Sequence, residues 1–337
     1  MASQEQVSES LEKVMVPVVM RSINGLNLVK QIDIAKDEVK VTLESTALNE
    51  EAKEWVSNKA REEAGKLSGV KKVEVAFAEA AKPAEINKIG NIIAVMSGKG
   101  GVGKSLVAGL TAIALKRQGN EVGILDADLT GPSIPKMFGI ESRPSGSDTG
   151  ILPVLSRSGI ELMSINLLLP QEDDAVIWRG PLISNTIKQF WEDVLWGKLD
   201  YLLVDLPPGT ADAPLTVMQS FPISGVIIVF TPQDLTAMIV RKAVNMAQKM
   251  NKAVLGVVEN MSYLKLPDSG KKMEIFGASR GQEMAQASNA PLLGQIPIDP
   301  ELARLCDRGE IENYDSEMMQ AFGDSLKKAL SGIKPTS

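Results

Sequence analysis

The stretch Gly98-Lys99-Gly100-Gly101-Val102-Gly103-Lys104-Ser105 concentrates glycines, lysines and a hydroxyl where little else could explain them together. Glycines let successive backbone N–H groups face phosphate oxygens, and a helix starting just after them adds its positive end. Lys104 is spaced to reach β and γ oxygens, and the Ser105 hydroxyl to ligate magnesium. The chemistry implied is binding of ATP with Mg2+ and transfer of its γ phosphoryl group to water. Three carboxylates join this set: Asp126 and Asp128 follow one apolar run, and Asp205 ends another, ahead of Leu206-Pro207-Pro208-Gly209. Asp205, at a strand end facing solvent and ligand, suits a magnesium–water ligand. Asp126 suits a second such water or else a cap on the following turn, and Asp128 suits a residue that orients the attacking water. The chain has no histidine, so carboxylates, lysines, hydroxyls and amides must do this work.

Such residues converge only if strands end together. The runs IIAVMS, VGILDAD, YLLVDLPPG, GVIIVFTP and LGVVENMS are apolar on both faces and alternate with helical patterns. That pattern predicts an α/β fold with a mostly parallel sheet flanked by helices, whose strand ends form the ligand crevice. The segment LVAGLTAIALKRQG reads as the amphipathic helix after the glycine loop. Upstream, Val39, Val41 and Leu43 alternate with polar residues, and Val73, Val75 and Phe77 do so again. Between them Leu48, Ala52, Trp55, Val56, Lys59, Ala60, Ala64 and Leu67 recur at helical spacing, while Glu50, Glu51, Glu54, Glu62 and Glu63 should stay solvated. The chain therefore divides into a small α+β domain at 1–80, a linker at 81–90 where the pattern lapses around Pro83, and a nucleotide-binding domain at 91–333. Limited proteolysis is expected to cut first between Ala80 and Lys88.

With 36 basic and 42 acidic residues the net charge is −6, which argues against nucleic acid as a partner. One cysteine, Cys306, permits no internal disulfide, and no apolar run reaches the length of a membrane span, so a cytoplasmic protein is expected. Cys306 lies in the helical-looking ELARLCDRGEI and reads as a structural thiol. The C-terminal helix with Met318, Met319, Phe322 and Leu326 is expected to pack on its domain and not on a membrane.

Lys99, second in the loop, resembles the signature lysine of the MinD and nitrogenase-iron-protein superclass of deviant phosphate-loop ATPases. Gly131-Pro132-Ser133, Trp178-Arg179-Gly180-Pro181, Thr231-Pro232-Gln233, Glu259-Asn260-Met261-Ser262-Tyr263, Ile275-Phe276-Gly277 and the run from Gly294 to Pro300 narrow the match. Residues 90 to about 310 are similar to the Mrp/ApbC family of iron–sulfur cluster carrier ATPases. Residues 1–80 more weakly resemble the iron–sulfur-assembly-associated domain often fused ahead of it. The resemblance implies a homodimer in which Lys99 projects across a two-fold axis to the partner's nucleotide. It also implies Asn260 at the adenine, a loop around Pro297 closing over the base, and an iron–sulfur apoprotein or assembly factor as partner.

One departure stands out. Family members usually carry a Cys-x-x-Cys after the Asn-Met-Ser-Tyr stretch, and the corresponding positions here are Leu266 and Ser269. Thr46-Ala47-Leu48-Asn49 likewise offers no cysteine where N-terminal relatives often have one. A four-iron cluster normally takes four thiolates, and a dimer of this chain has two. The usual cluster site is thus expected to be missing from an otherwise complete ATPase. Two other classes stay open: a cluster-free regulatory or scaffold ATPase, and a MinD/ParA-like positioning ATPase, which the acidic balance disfavours.

Overall fold

Ser3 caps the helix Gln4–Leu11 (α1), its side chain accepting from Gln6 N while Gln6 returns a bond to the Ser3 amide. The Ser-x-x-Gln box and the apolar pair Val7 and Leu11 signal this helix, which is too short to leave a clear period. The computed structural model describes residues 2–17, 19–128, 131, 133–168, 189–210, 212–233, 236–266 and 268–333. Pro132 and the Trp178-Arg179-Gly180-Pro181 motif lie outside the described residues.

Val29–Ala35 (β1) and Glu38–Leu43 (β2) form an antiparallel hairpin turning at Lys36, and Lys72–Phe77 (β3) adds parallel to β2. Val39, Val41 and Leu43 point into the core, as their alternation requires. Glu50–Gly65 (α2) is capped by Asn49, whose side chain accepts from Ala52 N at 2.8 Å, and it buries Val56, Ala60 and Ala64. Two helix-face expectations fail. Trp55 is 56% exposed, because the Val56-Ala60-Ala64 stripe alone meets the core; its indole N–H donates to Met15 O, and it lines a surface groove of about 720 Å³ with Met15, Pro17 and Met20. Glu63 is buried, tied to Lys66 at 2.8 Å and Lys59 at 3.3 Å.

The chain forms two compact units. The first gathers Met1–Ile89 with Arg143–Leu155 and Gln189–Lys198, the later segments contributing Leu152 and Leu195 to its apolar cluster. The sequence pattern puts those segments in the 91–333 stretch, whereas Leu152 and Leu195 pack into the apolar cluster of the first unit. The stretch 81–90, expected as an aperiodic linker, contains the short helix Pro83–Ile86 with Pro83 and Ile86 buried. The Asn87 side chain donates to Val194 O and accepts from the amides of Trp196 and Gly197. Pairing that is remote in sequence leaves no periodic trace, and it removes the basis for an early proteolytic cut there.

The second unit is built on a sheet whose strands include Lys88–Ser97 (β4), Val122–Asp126 (β5), Glu161–Ser164 (β6), Lys198–Asp205 (β7), Gly225–Phe230 (β8), Ala253–Glu259 (β9) and Leu292–Gln295 (β10). They lie in the order β6-β5-β7-β4-β8-β9-β10. Pairing is parallel at β6·β5, β5·β7, β4·β8, β8·β9 and β9·β10. Lys104–Arg117 (α3) carries the chain from β4 to β5 in one direction, and Thr236–Lys249 (α4) from β8 to β9 in the other. Right-handed crossovers running in opposite directions put their helices on opposite faces of a sheet. The topology therefore reverses at β4, and that is where the glycine loop sits.

Helix α3 departs from the amphipathic expectation: Val107, Ala108, Leu110, Ala112, Ile113, Ala114 and Leu115 are all buried. The reason is cover on a second side by the helix Glu317–Leu330, which packs Met319, Phe322, Leu326 and Leu330 inward and touches both β10 and α3. The C-terminal helix thus packs on its own domain. Among the described residues no helix is long and apolar enough to cross a membrane.

Candidate nucleotide site

The glycine loop leaves β4 at Gly98 and enters α3 at Lys104. An added Cβ at Gly98 would stand 2.7 Å from Ile239 O, so a side chain there would push α4 off the loop. Gly103 caps α3 with φ +78°, a left-handed conformation that favours glycine, and a Cβ there would meet Asn260 Nδ2 at 2.1 Å. Asn260 is itself buried and donates from that nitrogen to Val102 O at 2.9 Å. The amide that the family resemblance puts at the adenine is also, in this structure, a strut of the phosphate loop.

Register brings the carboxylates together. Asp126 and Asp205 end the adjacent strands β5 and β7 as direct partners, and Ser164 on β6 lies opposite Asp126. Lys104 Nζ donates to Asp205 Oδ1 at 2.7 Å and stands 3.6 Å from Asp128 Oδ2; Ser105 Oγ donates to Asp205 Oδ2 at 2.5 Å. Lys104 is 5% exposed and Asp205 wholly buried, which corrects the expectation that Asp205 faces solvent: the Lys104 ammonium and the Ser105 hydroxyl cover it. Asp126 accepts from the amides of Asp128 and Ile134 and from Ser164 Oγ, so it braces the turn after β5.

Three buried carboxylates stand around one buried ammonium. Burial, and then the charge of Asp205, push the Asp126 carboxyl up to about 8. Burial also raises Asp205, opposed by the charge and hydrogen bond of Lys104. A divalent cation would relieve this crowding. Among the described residues no three Asp, Glu, Cys or His side chains form a metal cage. One hydroxyl and one carboxylate in contact fit magnesium, which keeps waters and takes phosphate oxygens.

Lys99 does not project freely. Its ammonium donates to Gln233 Oε1 in the same chain, and its carbonyl accepts from Ser97 Oγ at 2.8 Å. Gln233 is a functional candidate that sequence quoted in Thr231-Pro232-Gln233 without giving it a role. Pro297 follows β10 in a segment pinned to the stretch after Asn260 by Ser262 N to Ile296 O and Ile298 N to Tyr263 O. It walls a cavity of about 680 Å³ with Tyr263, Leu266, Ile298 and Tyr314. Leu266 and Ser269 lie in the hairpin formed by Leu264–Lys265 and Lys272–Met273, closed by Leu266 N to Lys271 O and Gly270 N to Leu266 O. Cys306 is half-buried on the helix Pro300–Asp307, and burial pushes its thiol up to about 11.

A glycine loop between a parallel strand and a helix, with a lysine and a serine on the carboxylate of the neighbouring strand, defines a P-loop nucleotide-binding protein. Residues 88–330 match the NUBPL iron-transfer P-loop NTPases and residues 4–77 the iron–sulfur cluster assembly proteins. The chain belongs to this iron-transfer P-loop NTPase family, as the sequence resemblance implied. It is 48% identical over 237 residues to the iron–sulfur cluster carrier protein of Clostridium perfringens, covering 68% of this chain and 83% of that one. It is 38% identical over 325 residues to the carrier protein of Synechocystis, covering 92% and 91%. A nucleotide-binding protein from Archaeoglobus fulgidus, solved in complex with ADP, superposes with a TM-score of 0.62 at 48% identity, covering 69% of this chain and 92% of that one.

Proposed function

We propose that this protein is a magnesium-dependent ATPase that works as a homodimer, in a reducing compartment such as the cytoplasm, in the handling of iron–sulfur clusters for apoprotein or assembly partners. The observation that carries the reading is the buried Lys104–Asp205–Ser105 contact at the helix N-terminus. The amides of Gly98, Gly100, Gly101, Val102 and Gly103 cradle phosphates, and Lys104 turns from Asp205 toward the β and γ oxygens. Ser105 and, through water, Asp205 and Asp126 would hold magnesium, which neutralises charge on the phosphates. Asp128, beside Lys104, orients the attacking water. Lys99 is released from Gln233 and delivered to the partner's nucleotide, where a cation acting in trans is worth roughly 10³ to 10⁵ in rate. Asn260 and the segment around Pro297 bound the base.

The test is complementation. Lys99→Ala should bind ATP and hydrolyse it poorly, Lys104→Ala should do neither well, and an equimolar mixture should regain activity, since one site of a mixed dimer keeps Lys104 and receives Lys99. Wild-type turnover by Lys99→Ala, or a chain that stays monomeric with ATP, refutes the dimer mechanism. The single cysteine favours a second reading, an ATPase switch without its own cluster cargo. Iron and sulfide analysis after anaerobic reconstitution separates the two: a stoichiometric cluster lost in Cys306→Ala would establish carriage at an unconventional site.

A further inference from the structure

Glu259 ends β9 and is fully buried, yet its carboxylate is saturated. Oε2 accepts from Ser262 Oγ at 2.6 Å, Ser279 Oγ at 2.6 Å and Gln295 Nε2 at 2.9 Å, and Oε1 accepts from Arg280 N at 2.7 Å. These donors come from three separate stretches of the sequence. Ser262 precedes the hairpin, Ser279 and Arg280 follow it, and Gln295 is the strand partner of Glu259 on β10. Both ends of the excursion 263–278, which contains Leu266, Ser269 and Ile275-Phe276-Gly277, therefore close on one carboxylate.

The residue after Glu259 is the strut of the phosphate loop. Asn260 holds Val102 O through its side chain, and its own amide donates to Phe230 O at 2.8 Å on β8. A shift of the carboxylate is thus carried through one peptide unit to the carbonyl that the Asn260 side chain supports. We propose that Glu259 is a positioning residue that couples the conformation of the 263–278 excursion to nucleotide occupancy of the phosphate loop. A carboxylate suits this place because it brings oxygens and no donor to a ring of donors. Glutamine would set an NH2 group against them and leave buried partners unsatisfied. Coupling of this kind is reciprocal: nucleotide tightens the excursion, and loosening the excursion weakens nucleotide. The inference rests on nucleotide occupying the loop and does not need hydrolysis, dimerisation or a cluster.

The experiment uses the full chain with ADP as probe. Affinity is read by displacement of a fluorescent ADP, and hydrogen exchange is followed in peptides covering 263–278 with and without ADP. Wild type should show slower exchange there when ADP is bound. Ser279→Ala and Gln295→Ala, each removing one donor to the Glu259 carboxylate, should bind ADP about fivefold or more weakly and lose that protection. Glu259→Gln should do so more severely. Ser288→Ala removes a buried hydroxyl that bonds only within its helix, to Met284 O and Ala285 O, and should keep both affinity and protection even if it melts earlier. Wild type that binds ADP without any change in exchange over 263–278, or Ser279→Ala and Gln295→Ala with wild-type affinity, overturns the coupling. Absence of ADP binding by wild type overturns it together with the nucleotide reading.

Discussion

Replacing Asp205 by alanine probes the centre of the site. Sequence places this residue at an open strand end, where its loss would cost activity and leave the fold untouched. The structure gives another answer. Lys104, 5% exposed, would keep Asp128 at 3.6 Å as its ion-pair partner, and Ser105 Oγ would lose its acceptor. Removing one member of a buried ion pair costs about 3–5 kcal/mol. Part of this returns, because Asp205 is the charge that helps drive Asp126 up to about 8, and without it Asp126 ionises more readily beside Lys104. A net loss of about 2–4 kcal/mol follows, which in a unit of this size lowers Tm by roughly 5–15 °C. Asp205→Asn keeps an acceptor for Lys104 and should lose about 1–2 kcal/mol. Thermal unfolding of the nucleotide-free protein reads both, and magnesium-dependent ATP hydrolysis should vanish in each. An Asp205→Ala protein that melts within about a degree of wild type would refute the argument, since no buried ammonium could then depend on that carboxylate.

Gly103→Ala forces a side chain into a left-handed residue and into the Asn260 amide; it should cost about 1–2 kcal/mol from the backbone alone and weaken nucleotide binding. Adding Asn260→Ala should recover the steric part but not the backbone part, which a double-mutant cycle on unfolding free energies resolves. Cys306, pushed up to about 11 by burial, should react with iodoacetamide at pH 8 at least about tenfold more slowly than free glutathione, as followed by mass spectrometry. Because the folded state holds that proton more tightly than the unfolded chain, this thiol withdraws stability as pH climbs above its ordinary value near 9 toward 11.

The phosphate loop, the strand-end positions of Asp126 and Asp205 and the parallel α/β architecture were legible because each is written locally: glycines before a helix, and apolar runs that stop at a carboxylate. What was hidden depends on neighbours far away in sequence. The covering of Asp205, the Lys99–Gln233 contact and the Asn260–Val102 strut arise only when β7 and β8 flank β4 and β9 lies beside β8. Trp55 shares the helical period of its neighbours but sits at the margin of the buried stripe, and a period alone cannot say how wide a stripe is. The helix α1 carried a readable capping box, and its shortness hid it from a search for long periods.

The hairpin at 264–273 is closed by main-chain bonds and by Gly270 at φ +66°, with neither the Leu266 nor the Ser269 side chain among them. Its closing bonds are therefore independent of what those two positions display, and two substitutions could place metal-binding thiols there while those bonds persist. The same independence makes the hairpin a graft site: Leu266→Cys with Ser269→Cys would ask whether this scaffold accepts a ligand pair by local change alone.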